Sequence, residues 1–191
     1  MNAPILVGIS GKIGSGKTTL ALALQALNSG RTVVCNFADA LKREAAERYQ
    51  VSLDRFYSQD EKNQPISADS ELTVGGALQQ HGAERRAENE NYWLEQLDGF
   101  ITSLPADVTL VVVGDVRHVN EAEWITQRGG FLVRLNGDPG GVRAASTRNL
   151  AHVSETALDD YDDFDLVFNT NNTEPEGMAA AILAWTRPEH D

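Results

Sequence analysis

Residues 11–18 read GKIGSGKT, the pattern G-x-x-x-x-G-K-[ST]. An apolar run, Ile5–Ser10, precedes them, and Leu20, Ala23, Leu24 and Leu27 follow at helical spacing. A strand, a glycine-rich turn and a helix in that order leave few folds open. Gly11, Gly14 and Gly16 let the backbone curl until several N–H groups aim at one anion, and the helix start adds the positive end of its dipole. Lys12, Ser15 and Thr19 complete the candidate nucleotide-binding loop. Lys17 is expected to bridge the β- and γ-phosphates of a triphosphate, and Thr18 to ligate Mg²⁺. The alternative is a glycine-rich turn that holds nothing.

The rest of the chain alternates in the same way. Strands are expected at Thr32–Ala38, Val108–Val113, Phe131–Leu135 and Phe164–Phe168. Helices are expected at Lys17–Asn28, Asp39–Gln50, Gly76–Arg86, Asn91–Leu104, Asn120–Arg128 and Glu176–Thr186, with one helical turn at Leu53–Tyr57 and a helical piece near Val142–Asn149. Gly30 reads as a helix stop, and Gly82 as an interruption of the weak helix around it. Five nearly all-apolar strands among helices predict an α/β fold with a five-stranded parallel sheet covered on both faces. Its 191 residues suit one domain.

Asp115 closes the run TLVVVGD, where an acid would hold a metal ion through water; it serves equally as a turn or helix cap. The run Glu155–Asp165 carries six carboxylates and no base, and reads as a solvated face. Trp93 lies on an apolar stripe with Leu97, Phe100 and Leu104 and reads as core. His81 and His152 read as structural. Asp39 either touches a substrate or caps its helix. Phe56 and Tyr57 either wall a substrate pocket or pack.

Charge and composition narrow the function. The net charge of −12 disfavours a binder of duplex nucleic acid, which needs a basic face. The longest apolar run, Leu110–Val113, is too short for a bilayer, and the first residues lack the basic flank of a signal peptide. A lone Cys35 excludes an internal disulfide framework, which points to the cytoplasm. Twelve of the sixteen basic residues are Arg, the side chain suited to bidentate phosphate contacts. No guanine-recognition motif of the NKxD kind is present, which disfavours a GTPase and leaves a small kinase with ATP and Mg²⁺ as its cofactors.

Six pieces in order carry a resemblance over most of the chain. They are GISGKIGSGKTTLA, NFADALKREAAERY, LQQHGAERRAENENYWLEQL, VVVGDVRHVNEAEWI, GGFLVRL and HVSETALDDYDDFDLVFN. Together they resemble the phage-type deoxynucleoside monophosphate kinases, a nucleotide-kinase-like branch of the three-layer α/β/α P-loop NTPases. The third and fourth pieces are also similar to the metazoan-type phosphomevalonate kinases. The resemblance implies an acceptor-binding region at about 43–90 and a lid at about 136–154. It places the acceptor's phosphate on Lys42 with Arg43, and on Arg86 with Arg85 adjacent. It puts a catalytic arginine at Arg117 and lid arginines at Arg143 and Arg148; the alternative for Arg117 is a structural salt bridge. Two departures, Ala83 where threonine is usual and a segment one residue shorter, leave the choice between Arg85 and Arg86 open.

The implied reaction is ATP-dependent phosphorylation of a deoxynucleoside 5′-monophosphate, in a bacterial host's cytoplasm if the chain is of phage origin. Two alternatives stand beside it: a kinase of another small phosphorylated acceptor such as phosphomevalonate, and a regulatory protein that binds ATP without transferring it. The sequence leaves open the accepted base, the sugar, and whether the chain forms a homodimer.

Overall fold

The computed structural model describes residues 3–28, 31–58, 60–143 and 153–186. The chain separates into two compact units, Met1–Asn36 with Ser103–Asp191, and Phe37–Thr102.

The first unit is built on five strands: β1 (Ile5–Gly11), β2 (Thr32–Cys35), β3 (Leu110–Val116), β4 (Phe131–Asn136) and β5 (Leu166–Asn169). All pairings are parallel, in the order β2-β3-β1-β4-β5. This is the parallel sheet expected from the apolar runs. Side chains alternate across it. Val7 and Ile9 of β1, with Leu110, Val112, Val133 and Leu135, face a core completed by α1 (Lys17–Leu27) and α8 (Pro175–Trp185). From the other face of β1, the Cα of Gly8 lies under Ile125 of α6 (Val119–Gln127), where a Cβ would come within 2.3 Å of Ile125 Cδ1. Helices therefore cover both faces, as an all-parallel sheet requires.

Several boundaries differ from the sequence reading. β3 runs on to Val116, so Asp115, expected to close the strand, is its penultimate residue. β2 stops at Cys35 because Phe37 begins the next helix. The short helix α7 (Val153–Thr156) was not expected. Gly30 and most of the helical piece expected near Val142–Asn149 lie outside the described residues.

The second unit is helical: α2 (Phe37–Tyr49), α3 (Leu53–Tyr57), a 3-10 turn (Glu61–Asn63), α4 (Val74–Glu88) and α5 (Tyr92–Thr102). The expected acceptor region, about 43–90, falls within it. Thr73 caps α4 by accepting from the Gly76 N–H at 3.0 Å. Gly82 does not break this helix. A Cβ there would meet Leu41 at 3.3 Å, so the glycine admits close packing against α2. Phe56, Ala45, Ile66, Val74 and Ala77 form the core of this unit. No described helix is long and apolar enough to cross a membrane.

Candidate active site

The loop between β1 and α1 has the geometry its glycines allow. Gly11, Gly14 and Gly16 take φ of 155°, 78° and 87°. A Cβ on Gly11 would lie 2.4 Å from Ser15 Oγ and 2.7 Å from the Leu135 carbonyl oxygen. Gly16 caps α1 without a side chain, and the helix's first turn carries no acid. Its first amides thus keep their attraction for an anion. Thr18 and Thr19 are exposed there, and the Ser15 hydroxyl is buried.

Lys17 folds onto this loop. Its Nζ donates to the carbonyls of Gly11 (2.5 Å) and Lys12 (2.9 Å). Burial, and next the positive charge of Arg117, lower its pKa to about 8; Glu155 and Asp115 act against them, and Arg134 with them. Four charged groups from three segments therefore act on one ammonium. Asp115, near the end of β3, acts on the same ammonium, and with the exposed Thr18 hydroxyl it makes up the expected ligand pair for a divalent ion. Mg²⁺ fits such a sparse set, because it keeps several waters and takes few protein ligands beside the phosphates.

Arg117 follows β3. Its backbone N–H donates to Glu121 Oε2 at 2.8 Å, and its Nη1 donates to Glu155 Oε1 at 2.5 Å and to the Ser154 carbonyl at 3.3 Å. Glu155 Oε2 accepts from the Ile13 N–H of the loop at 2.9 Å. Burial pushes the Glu155 carboxyl up, but Arg117 and the Ile13 amide outweigh it and hold its pKa below the ordinary value. Asp159 accepts from Lys12 Nζ (2.7 Å) and Arg134 Nη2 (3.2 Å), and Arg134 Nη1 also donates to Ser10 Oγ (2.9 Å). Asp165 accepts from the Leu132 N–H at 2.7 Å. The acidic run is therefore not simply a solvated face. Three of its carboxylates are tied to the loop and to β4.

Arg143 also reaches the loop. Its Nε donates to the Ile13 carbonyl (3.3 Å) and its Nη2 to the Gly137 carbonyl (2.6 Å). A Cβ on Gly14 would lie 2.3 Å from Asp138 Oδ1 and 3.1 Å from Val142 Cβ, so residues 137–143 lie against the loop's tip. Arg148 and His152, both within the lid expected at about 136–154, lie outside the described residues.

The sequence reading missed Glu155, Asp159 and Arg134 as part of this site. Arg134 had a signal, a charge inside the otherwise apolar strand FLVRLN, and such charges rarely persist without a partner. The carboxylates had none, because nothing local marks which member of an acidic run will meet a loop more than 140 residues away.

In the second unit, Asp39, Lys42 and Tyr57 meet. The Tyr57 hydroxyl donates to Asp39 Oδ1 at 2.9 Å, and Lys42 Nζ lies 3.9 Å from both Asp39 Oδ1 and the Tyr57 ring centroid. α2 begins at Phe37, so Asp39 stands in its first turn and is not the N-cap. Arg43 is exposed on α2, and Arg86 is half-buried on α4. Phe56 must be corrected. It is fully buried in the core of this unit, so its ring cannot wall a pocket.

Arg85 is engaged structurally. Its Nε donates to Glu44 Oε2 (3.2 Å) and its Nη1 to Glu88 Oε2 (3.3 Å), and its guanidinium stacks over Tyr92. Glu44 also accepts from the Tyr92 hydroxyl at 2.5 Å and meets His81 Nε2 at 3.0 Å. Arg48 can only donate, so His81 Nδ1 accepts from it at 2.9 Å and Nε2 carries the proton toward Glu44. Burial pushes the Glu44 carboxyl up, while hydrogen bonds from Tyr92, His81 and Arg85 bring its pKa below the ordinary value. This network clamps α2 to α4 and gives His81 the structural place expected of it. Trp93 is buried beside it, as its stripe implied.

No protein-family model matches the chain, and no curated protein matches it in sequence. Solved structures resemble it in fold. TT1252 from Thermus thermophilus is 22% identical over 98% of this chain and 100% of its own, with a TM-score of 0.58. Shikimate kinase from Aquifex aeolicus is 14% identical over 95% of each chain, with a TM-score of 0.50. With the parallel sheet and the loop between β1 and α1, these likenesses show the three-layer α/β/α fold of the P-loop NTPases.

Proposed function

We propose that the chain is an ATP-dependent kinase whose acceptor is a deoxynucleoside 5′-monophosphate. The observation that carries the reading is Lys17: a loop-borne ammonium, buried enough to bring its pKa to about 8, with Asp115, Arg117 and Arg134 acting on it. A triphosphate entering this loop would meet backbone amides, the start of α1 and a cation that gains most from a new anion. The fold shared with a shikimate kinase agrees with small-molecule phosphoryl transfer.

The chemistry needs little covalent help. The acceptor's phosphate has a second pKa of about 6 and is already a nucleophile at neutral pH. One of its oxygens attacks the γ-phosphorus as the bond to the β–γ bridging oxygen breaks, giving ADP and a nucleoside diphosphate. Catalysis then consists of alignment and charge neutralisation. Lys17 stabilises the departing charge. Arg117, Arg143 and Arg148 are assigned to the transferring group. Thr18 and Asp115 would hold Mg²⁺, which supplies further neutralisation of the phosphate charge when bound. On the acceptor's phosphate we place Lys42, Arg43 and Arg86, with Asp39 and Tyr57 beside them. Arg85, held by Glu44 and Glu88, supports the packing of α2 on α4.

The sequence resemblance supports the nucleotide acceptor. The test is ADP release from ATP with the four common deoxynucleoside monophosphates, their ribose and modified-base counterparts, and phosphomevalonate. Release with a deoxynucleoside monophosphate supports the reading. Release with phosphomevalonate alone would move the acceptor class, and ATP binding with no active acceptor would make the chain a nucleotide-binding regulator.

A further inference from the structure

Glu155 stands out among the groups around the loop. It sits on the four-residue helix α7, yet its two carboxylate oxygens join two distant segments. Oε2 accepts from the Ile13 N–H of the loop, and Oε1 accepts from Arg117 Nη1 beyond the end of β3. The side chain is 10% exposed, against 30% for Arg117. A carboxylate this withdrawn from water is stable only where its partners are fixed. Arg117 is fixed at both ends: the Glu121 carboxylate takes its backbone N–H, and Glu155 with the Ser154 carbonyl takes its guanidinium.

Asp159 offers an internal contrast. It reaches the same loop through Lys12 and belongs to the same acidic run, but both side chains of that pair are more than a third exposed. Exposed pairs of this kind are screened and contribute little. The other partner of Asp159 is Arg134 of β4, so Asp159 ties the loop to the sheet, whereas Glu155 joins the loop to Arg117.

We propose that Glu155 is a positioning residue for phosphoryl transfer, holding the Arg117 guanidinium in register with the phosphate loop at Ile13. This rests on the kinase reading above. An arginine has many rotamers, and a guanidinium set against the loop before the substrates arrive loses none of its effect to searching. On the transferring phosphate the carboxylate acts through Arg117, whose guanidinium it holds; its charge also favours the charged form of Lys17. The loop's other amides and Lys17 remain to grip the donor nucleotide.

The test is steady-state kinetics of Glu155→Gln, Arg117→Ala and the double variant, with the best acceptor from the panel and thermal melts on each. Glutamine keeps the size and loses the charge. We expect kcat to fall about tenfold or more in Glu155→Gln with KM for ATP within about twofold. The double variant should be no slower than Arg117→Ala alone, because Glu155 has nothing left to position. Asp162→Asn, at an exposed position of the same acidic run, should change kcat by less than about twofold. Should Glu155→Gln fail to fold, Glu155→Asp keeps the charge, shortens the reach by one methylene and should give the same split. Unchanged kcat, a rise in KM for ATP with kcat preserved, or independent multiplying losses in the double variant would overturn the positioning role alone. No transfer by the unmodified protein would overturn the kinase reading and this role with it.

Discussion

The ammonium of Lys17 lies 2.5 Å from the carbonyl oxygen of Gly11, folded onto the loop that carries it. A neutral carbonyl is a weaker partner for an ammonium than a phosphate oxygen. Burial and Arg117 have brought this lysine's pKa from 10.5 to about 8. Part of its charge is therefore lost in the mildly alkaline range, and an arriving anion restores it.

That gives a measurable proton balance. Binding of ATP favours the charged lysine and raises its pKa, so the protein takes up protons on binding. At pH 8 the uptake from this group approaches about half a proton, since a group at its pKa is half-charged. Affinity for ATP should fall as pH rises through 8. Calorimetry of ATP binding in two buffers of different ionisation enthalpy reads the uptake directly. No uptake at pH 8 would mean that Lys17 does not meet the phosphates.

Lys17→Ala removes the cation proposed to meet the phosphates. Turnover should drop by about 10²–10³. The melting temperature should hold or rise, because a withdrawn ammonium with a lowered pKa is a cost to the folded state. Near-normal turnover would show that the chemistry lies elsewhere.

Two glycines separate loop geometry from general tolerance. Gly14 has a φ of 78°, and a Cβ there would lie 2.3 Å from Asp138 Oδ1. Gly14→Ala should lose about 1–3 kcal/mol of stability and weaken ATP binding. Gly99, within α5, has nothing within 4 Å of where its Cβ would stand. Gly99→Ala should gain up to about 1 kcal/mol, since alanine is the better helix former. Urea denaturation of both variants distinguishes the two cases. Equal effects would contradict the loop geometry.

The fold could be read from the chain because its signals are local. The apolar strands, the glycine pattern at 11–16 and the stripe holding Trp93 each follow from side chains near in sequence. Phe56 and Glu155 could not be read that way. Phe56 sits beside polar loop sequence, and only the packing of α2 and α4 shows that it belongs to a core. Glu155 is one acid among six, and its partners Ile13 and Arg117 come from distant segments. Asp39 was displaced from the cap position because α2 begins two residues early, at Phe37. Helix starts depend on contacts that no single turn reveals.

Neighbours in sequence should then differ in consequence. Phe56→Ala should cost about 3–5 kcal/mol, as truncation of a buried aromatic does. The milder Phe56→Leu should lower stability less and leave KM for the acceptor unchanged. Tyr57→Phe removes the hydroxyl that donates to Asp39 and should raise KM for the acceptor while changing stability little. Denaturation curves and acceptor titrations check both. A change in acceptor KM in Phe56→Leu, with none in Tyr57→Phe, would reverse the assignment.

The central claim is that this chain moves the terminal phosphate of ATP onto a phosphate-bearing acceptor. Incubation with γ-³²P-labelled ATP and a deoxynucleoside monophosphate, followed by separation of the nucleotides, measures this transfer itself. The account predicts label in the β-position of a deoxynucleoside diphosphate, lost in Lys17→Ala. Label found only as inorganic phosphate, or left entirely in ATP with every phosphorylated acceptor, would contradict it.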